Sequence, residues 1–188
     1  MEKSIFAVMF NDFKPVLKIL LRFIILYVVF VLGYQFYLNG FKNGGLDSFS
    51  TWVMTQVDFV QNQIGYPSQM VAGKLEDETT WFYVSGKYVS RMVEGCNAIS
   101  VMILFLAFVF AFYEGFKTFI FAAVGLVILH IMNVLRIVGL NVFLVDYPQY
   151  SKIGHDYLFP AIIYGSVVAL WMVWIKFYAV KNVEDEAA

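Results

Sequence analysis

The sequence predicts an all-α polytopic membrane protein with about four transmembrane helices, an extracytoplasmic amphipathic helix and a small β-hairpin. Three observations carry that prediction. Hydrophobic residues make up 61% of the 188 and charged residues 14%. A soluble domain averages about 45–50% apolar and about 25% charged. Mean hydropathy is +0.71, and the apolar residues gather into four long runs separated by polar ones. The length suits a single membrane domain over residues 1–188. A formal net charge of −1 leaves no basic footprint for nucleic acid.

A spanning helix needs about 20 mostly apolar residues. The first span is expected over about 17–38, with Lys14, Lys18 and Arg22 at its start and Asn39-Gly40 at its end. It is long for a signal-peptide core and no A-x-A-like site follows, so it reads as an uncleaved anchor. The outer loop, 39–95, comes next. Asp47 or Ser48 caps an expected helix in which Val53, Val57, Val60 and Ile64 recur at helical spacing. Gly65-Tyr66-Pro67 stops it. Trp81–Val84 and Lys87–Ser90 flank Ser85-Gly86, which reads as a hairpin whose second strand leads toward Cys96. The second, third and fourth spans are expected over about 97–113, 116–140 and 157–178. The acidic tail, Glu184–Ala188, reads as disordered.

Positive charge orients the spans. Lys3, Lys14, Lys18 and Arg22 precede or open the first, Lys117 sits between the second and third, and Lys176 and Lys181 close the fourth. With four spans these fall on one side, which the positive-inside rule makes cytoplasmic. Both termini are then cytoplasmic, in a multi-pass protein of the cytoplasmic membrane with the lipid bilayer as the surrounding partner.

That orientation brings three reactive side chains to one depth on the outer side. Cys96 starts the second span, Arg136 lies near the end of the third, and His155 precedes the fourth. Cys96 is the only cysteine, so it has no intrachain disulfide partner. It is either a small packed apolar residue or a nucleophile. A cation or a helix N-terminus stabilises a thiolate. Arg136 is suited to hold a thiolate or an oxyanion, and His155 to move protons. The bland alternatives are an arginine reaching the headgroups and a solvated loop histidine. Asn133, one turn before Arg136, either orients it or bonds between helices. Ser100 shares a helical face with Cys96, and Asn97 adjoins it. His130 reads as a satisfied bundle histidine. One Cys and two His at different depths make no zinc set, so no metal is expected. Neither a phosphate loop nor a dinucleotide fingerprint is present, so no cofactor is expected.

At these residues the chain resembles the exosortase/archaeosortase family of polytopic membrane cysteine transpeptidases. The matching pieces are Glu94-Gly95-Cys96-Asn97-Ala98, Asn133-Val134-Leu135-Arg136-Ile137 and Gly154-His155-Asp156-Tyr157. The resemblance covers roughly Gly95 to Lys176. With the Gly86-Lys87-Tyr88-Val89 hairpin it looks most like the small F-type branch found in Bacteroidetes-like bacteria. It implies Cys96 as nucleophile, His155 as acid/base and Arg136 as the third essential residue. It also implies a substrate class: exported proteins with a C-terminal motif, a transmembrane helix and a basic cluster. Many family members carry Cys-Ser-Gly or Cys-Thr-Gly where this chain has Cys96-Asn97-Ala98, and larger members have more spans. Two other functions fit a small membrane protein. A non-catalytic assembly or export partner would not need the thiol. A small transporter would want polar groups at mid-membrane, where only His130 and Asn133 come near.

Overall fold

The computed structural model describes residues 2–41, 45–73 and 79–179. The acidic tail lies outside them. Helix α1 (Glu2–Asn39) runs through Pro15 without a break. Its apolar stretch, Phe13–Asn39, has 27 residues. At 1.5 Å per residue that is about 40 Å, enough for a hydrocarbon core of about 30 Å.

Helix α2 (Ser48–Gln63) starts where the sequence places a cap: Asp47 Oδ1 accepts from the Phe49 and Ser50 amides at 3.0 and 3.1 Å. The orphan amides of the first turn are thereby satisfied. The Val53, Met54 and Val57 face of α2 is buried.

Strands β1 (Ser68–Ala72), β2 (Thr80–Val84) and β3 (Lys87–Met92) then form an antiparallel sheet in that order. The expected hairpin is β2–β3, and it has gained a third strand. Ser85 and Gly86 both have positive φ, 52° and 76°, as a two-residue hairpin turn with the right twist requires. A register shift between Phe82 and Tyr83 leaves Val89 unpaired opposite them, which bends β3.

The expectation of four full spans needs correction. Three helical stretches are long and apolar enough to cross a membrane: Phe13–Asn39, Phe116–Asp146 and Pro148–Phe177. The stretch expected at 97–113 is helix α3 (Ile99–Ala111), 13 residues long. It rises about 20 Å, short of the full hydrocarbon thickness. The cause is local. Residues Glu94–Cys96 form a 3₁₀ turn, and Ala98 takes a left-handed conformation at φ 63°, so regular helix starts only at Ile99. At the far end Gly115, φ 65°, turns the chain into α4 (Phe116–Asp146).

Helix α4 outruns its expected end by six residues, at Asp146 rather than Leu140. The last segment also begins earlier than expected. It starts with a 3₁₀ turn (Pro148–Tyr150) and a short α5 (Ser151–Ile153), followed by a π-helical turn (Gly154–Leu158). The main helix α6 (Phe159–Trp174) follows, and a second π-helical turn (Ile175–Ala179) closes it.

Two cores explain these lengths. In the bundle core, Val101, Met102, Phe105 and Val109 of α3 meet Ala122 and Leu129 of α4 and Ile163, Val167 and Trp174 of α6. Gly125 lets α3 and α4 close up: a Cβ there would fall on the Phe105 ring. In the cap core, Val53, Met54 and Val57 of α2 and Phe82, Val84, Val89 and Met92 of the sheet pack on Val134, Ile137, Val138, Leu140 and Leu144 of α4. Helix α4 therefore supplies most of the floor of the cap core as well as part of the bundle core, and α6 adds Phe159 to the cap core. About 20 residues from Phe116 suffice to cross the hydrocarbon, and the remainder is the spine of the cap.

Candidate functional site

Cys96 ends the 3₁₀ turn at the seam between the cap and the bundle. Its main chain is held from both sides. Its amide donates to the Val93 carbonyl at 2.9 Å. Its carbonyl accepts from Asn133 Nδ2 at 3.2 Å and from Arg136 Nη2 at 3.5 Å. The guanidinium also lies near enough to the Cys96 side chain and the Tyr164 phenol to interact electrostatically with both. Arg136 is thus turned inward on the thiol rather than outward to headgroups.

Asn97 fixes this turn in space. It is 1% exposed. Its Oδ1 accepts from the Ile99 amide at 2.9 Å, which starts α3. Its Nδ2 donates to Tyr34 Oη of α1 at 2.8 Å and to Ser50 Oγ of α2 at 3.0 Å. One side chain therefore ties three helices together immediately beside the cysteine. Ala98 follows in its left-handed conformation, a shape that costs an L-residue about 1–2 kcal/mol and costs glycine almost nothing.

Cys96 and Arg136 both line a cavity of about 460 Å³. Most of its wall comes from Tyr88–Met92 of β3, residues of α4 between Arg136 and Leu144, Ser151 of α5 and residues of α6 between Phe159 and Tyr164, with Phe82 of β2, Gly95, Ala98 and Val101 of α3 completing it. Among the described lining residues two are arginines, Arg91 and Arg136, and none is a carboxylate. Low-dielectric walls such as Ile137, Leu140, Phe159 and Ile163 focus that positive field. Arg136 is thereby placed to favour an anion at the thiol.

The backbone of His155 lies in the π-helical turn Gly154–Leu158, and its side chain is outside the described part of the structure. Asn133 is fully buried behind the site, with its Oδ1 unpartnered among the described residues. Ser100 is exposed and does not line the cavity.

Comparison with protein-family models, curated proteins and solved structures gives no match to this chain.

His130 is held away from the cavity by α2. Its Nε2 pairs with Gln56 Oε1 at 2.8 Å, and its ring stacks on Trp52 with centroids 4.5 Å apart. The expectation of a satisfied histidine holds for Nε2 only, since Nδ1 is buried without a hydrogen-bond partner among the described residues. Among the described residues no group of three or more His, Cys, Asp or Glu is arranged to hold a metal.

Sequence reasoning missed the wall residues Tyr88, Ser90, Arg91 and Tyr164. The first three had a readable signal, since the hairpin's second strand leads into Cys96 within four residues of Met92. Tyr164 had none, because only the packing of α6 on α4 brings it to Arg136.

Proposed function

We propose that this chain is a membrane-embedded cysteine protease/transpeptidase, resembling the exosortases. It would cleave C-terminal sorting signals of exported proteins at the outer face of the cytoplasmic membrane. The observation that carries the reading is the engagement of the Arg136 guanidinium with Cys96 inside one cavity. A half-buried thiol that serves only packing has no use for a guanidinium held at its side. A second observation supports the resemblance. Ala98 is left-handed at the position where many family members carry glycine, the residue that conformation favours.

The chemistry runs in two halves. Cys96 Sγ, its proton taken by His155, attacks the scissile carbonyl carbon, and the C–S bond forms as the carbonyl π pair moves to oxygen. Arg136 holds the resulting oxyanion. Collapse expels the amine of the C-terminal fragment, which takes its proton from His155, and leaves a thioester on Cys96. An acceptor amine, or water, then gives its proton to His155 and attacks the thioester, and Cys96 departs as thiolate. Asn133 and Asn97 act by position, holding the carbonyl of Cys96 and the start of α3. The substrate's own transmembrane helix would dock beside the bundle and present its outer flank to the cavity, so much of the entropy of encounter is lost in advance. Three long helices and the shorter α3 suit a topology with both termini cytoplasmic and the cap outside.

The test uses an exported protein from the same genome that carries a C-terminal motif, a transmembrane helix and a basic cluster. Co-expressed with the wild-type chain it should be shortened, and a hydroxylamine-sensitive adduct should accumulate on Cys96. Cys96→Ala should abolish both while the protein still reaches the membrane. Processing that survives Cys96→Ala overturns the reading.

A further inference from the structure

The wall that β3 gives to the cavity has an unusual make-up. Side chains of a strand alternate between faces, so a cavity lying on one face meets every second residue. Here five consecutive residues, Tyr88, Val89, Ser90, Arg91 and Met92, line it. Tyr88 belongs to the outer face, where its ring meets Trp81 and Tyr83 at 5.3 and 6.0 Å. Arg91 is exposed on that side too. Met92 is buried in the cap core, and Ser90 Oγ donates inward to Asn141 Oδ1. The cavity thus touches both faces of β3 and also the inner-face ring of Phe82 on β2, so it passes from beneath the sheet around the edge of β3. The sheet order is β1-β2-β3, so β3 pairs with β2 on one side only. Among the described residues no backbone hydrogen bond leaves its other side. Beyond Met92 the chain passes through Val93 into the turn that carries Cys96.

We infer that the free edge of β3 is the substrate track, and that the segment to be cleaved binds there as a fourth strand, its backbone paired with β3 and its scissile carbonyl delivered to Cys96. This rests on the cysteine-peptidase reading above and adds the binding mode. The occupant is an extended polypeptide, for three reasons. The edge offers a row of main-chain donors and acceptors, which only another extended main chain meets at every second residue. The row continues directly into the cavity of Cys96 and Arg136. Its walls otherwise supply few side-chain polar groups to read a substrate: Tyr88, Ser90, Arg91, Ser151 and Tyr164 beside the thiol and Arg136. Affinity would come from the backbone and selectivity from alternate side chains, as in other strand-addition complexes. The edge of β1 lies across the sheet from the cavity and leads to no nucleophile.

The test uses the wild-type protein in detergent and a synthetic probe, an acetylated alternating Val-Thr hexapeptide ending in a chloromethyl ketone. Cys96 thiolate displaces chloride, a C–S bond replaces C–Cl, and the thiol proton passes to a base. Two further probes are N-methylated on the odd or on the even amides, which removes main-chain donors and leaves the side chains unchanged. Iodoacetamide, which has no peptide to bind, measures the intrinsic reactivity of Cys96. Relative to iodoacetamide, one methylated series should alkylate Cys96 about tenfold more slowly than the parent, and the other at close to the parent rate, because only alternate amides of a strand face its neighbour. Equal rates for all three peptides, or equal losses in both methylated series, overturn strand addition while leaving the nucleophile intact. A Cys96 inert to iodoacetamide and to every peptide overturns the catalytic reading, and the track with it.

Discussion

Asn133 Nδ2 donates to the Cys96 carbonyl at 3.2 Å, while Oδ1 of the same amide is buried without a partner among the described residues. One end of the side chain anchors the cysteine, and the other costs stability. A buried unsatisfied carbonyl oxygen costs about 1–3 kcal/mol, against about 1 kcal/mol gained from one ordinary hydrogen bond.

Asn133→Leu should therefore leave the melting temperature in detergent unchanged or raise it, by the equivalent of up to about 2 kcal/mol. The same variant should process substrate about tenfold more slowly, because the Cys96 carbonyl is freed. A fall of several degrees in melting temperature with processing intact would contradict both halves.

Arg136→Gln should slow the reaction of Cys96 with iodoacetamide at neutral pH by about tenfold, since the thiolate loses the cation beside it. Arg136→Lys should recover part of that rate and little of the processing. A lysine keeps the charge but lacks the planar fork that reaches carbonyl and sulfur together. Rates measured by mass spectrometry of the alkylated peptide separate the two variants.

Ala98 allows a stability test independent of catalysis. Ala98→Gly relieves a left-handed backbone at the loss of one buried methyl, about 1–2 against about 0.8 kcal/mol, so stability should change by about 1 kcal/mol or less. Ala98→Val puts a β-branched side chain at the same φ and should lower stability by more than about 2 kcal/mol. Thermal unfolding in detergent reads both.

The sequence made the apolar part of α1, 17–38, readable, because nothing but apolar length was needed to see it; the start of the helix at Glu2 was not read. It also placed α2, since Asp47 is a cap and Val53 and Val57 share one face. The limits of α4 were harder. Ile137, Val138, Leu140 and Leu144 are as apolar as a lipid-facing segment, yet they are buried under α2 and the sheet. Hydropathy registers the loss of water and is blind to whether lipid or protein replaces it. Strand β1 was missed because four of its five residues are exposed and it forms an edge, so no alternation marks it. The shortening of α3 was hidden for another reason: Ala98 is an ordinary helix former, and its left-handed turn is imposed by the bonds Asn97 makes to Tyr34 and Ser50. Within the site, Cys96 and Arg136 could be matched in depth from span counting. Their direct contact depends on the 3₁₀ turn, which no periodicity announces.

The double duty of α4 sets an order of events during synthesis. The residues of α2 and the sheet leave the ribosome well before the helix that covers their apolar faces is complete. About fifty residues separate Met92 from Asp146, and at about 5–20 residues per second that is a wait of about 3–10 seconds. Until then Val53, Val57, Phe82 and Met92 have no surface to close against. A newly made cap therefore waits with its apolar face uncovered, and the thiol comes beside Arg136 only when α4 arrives.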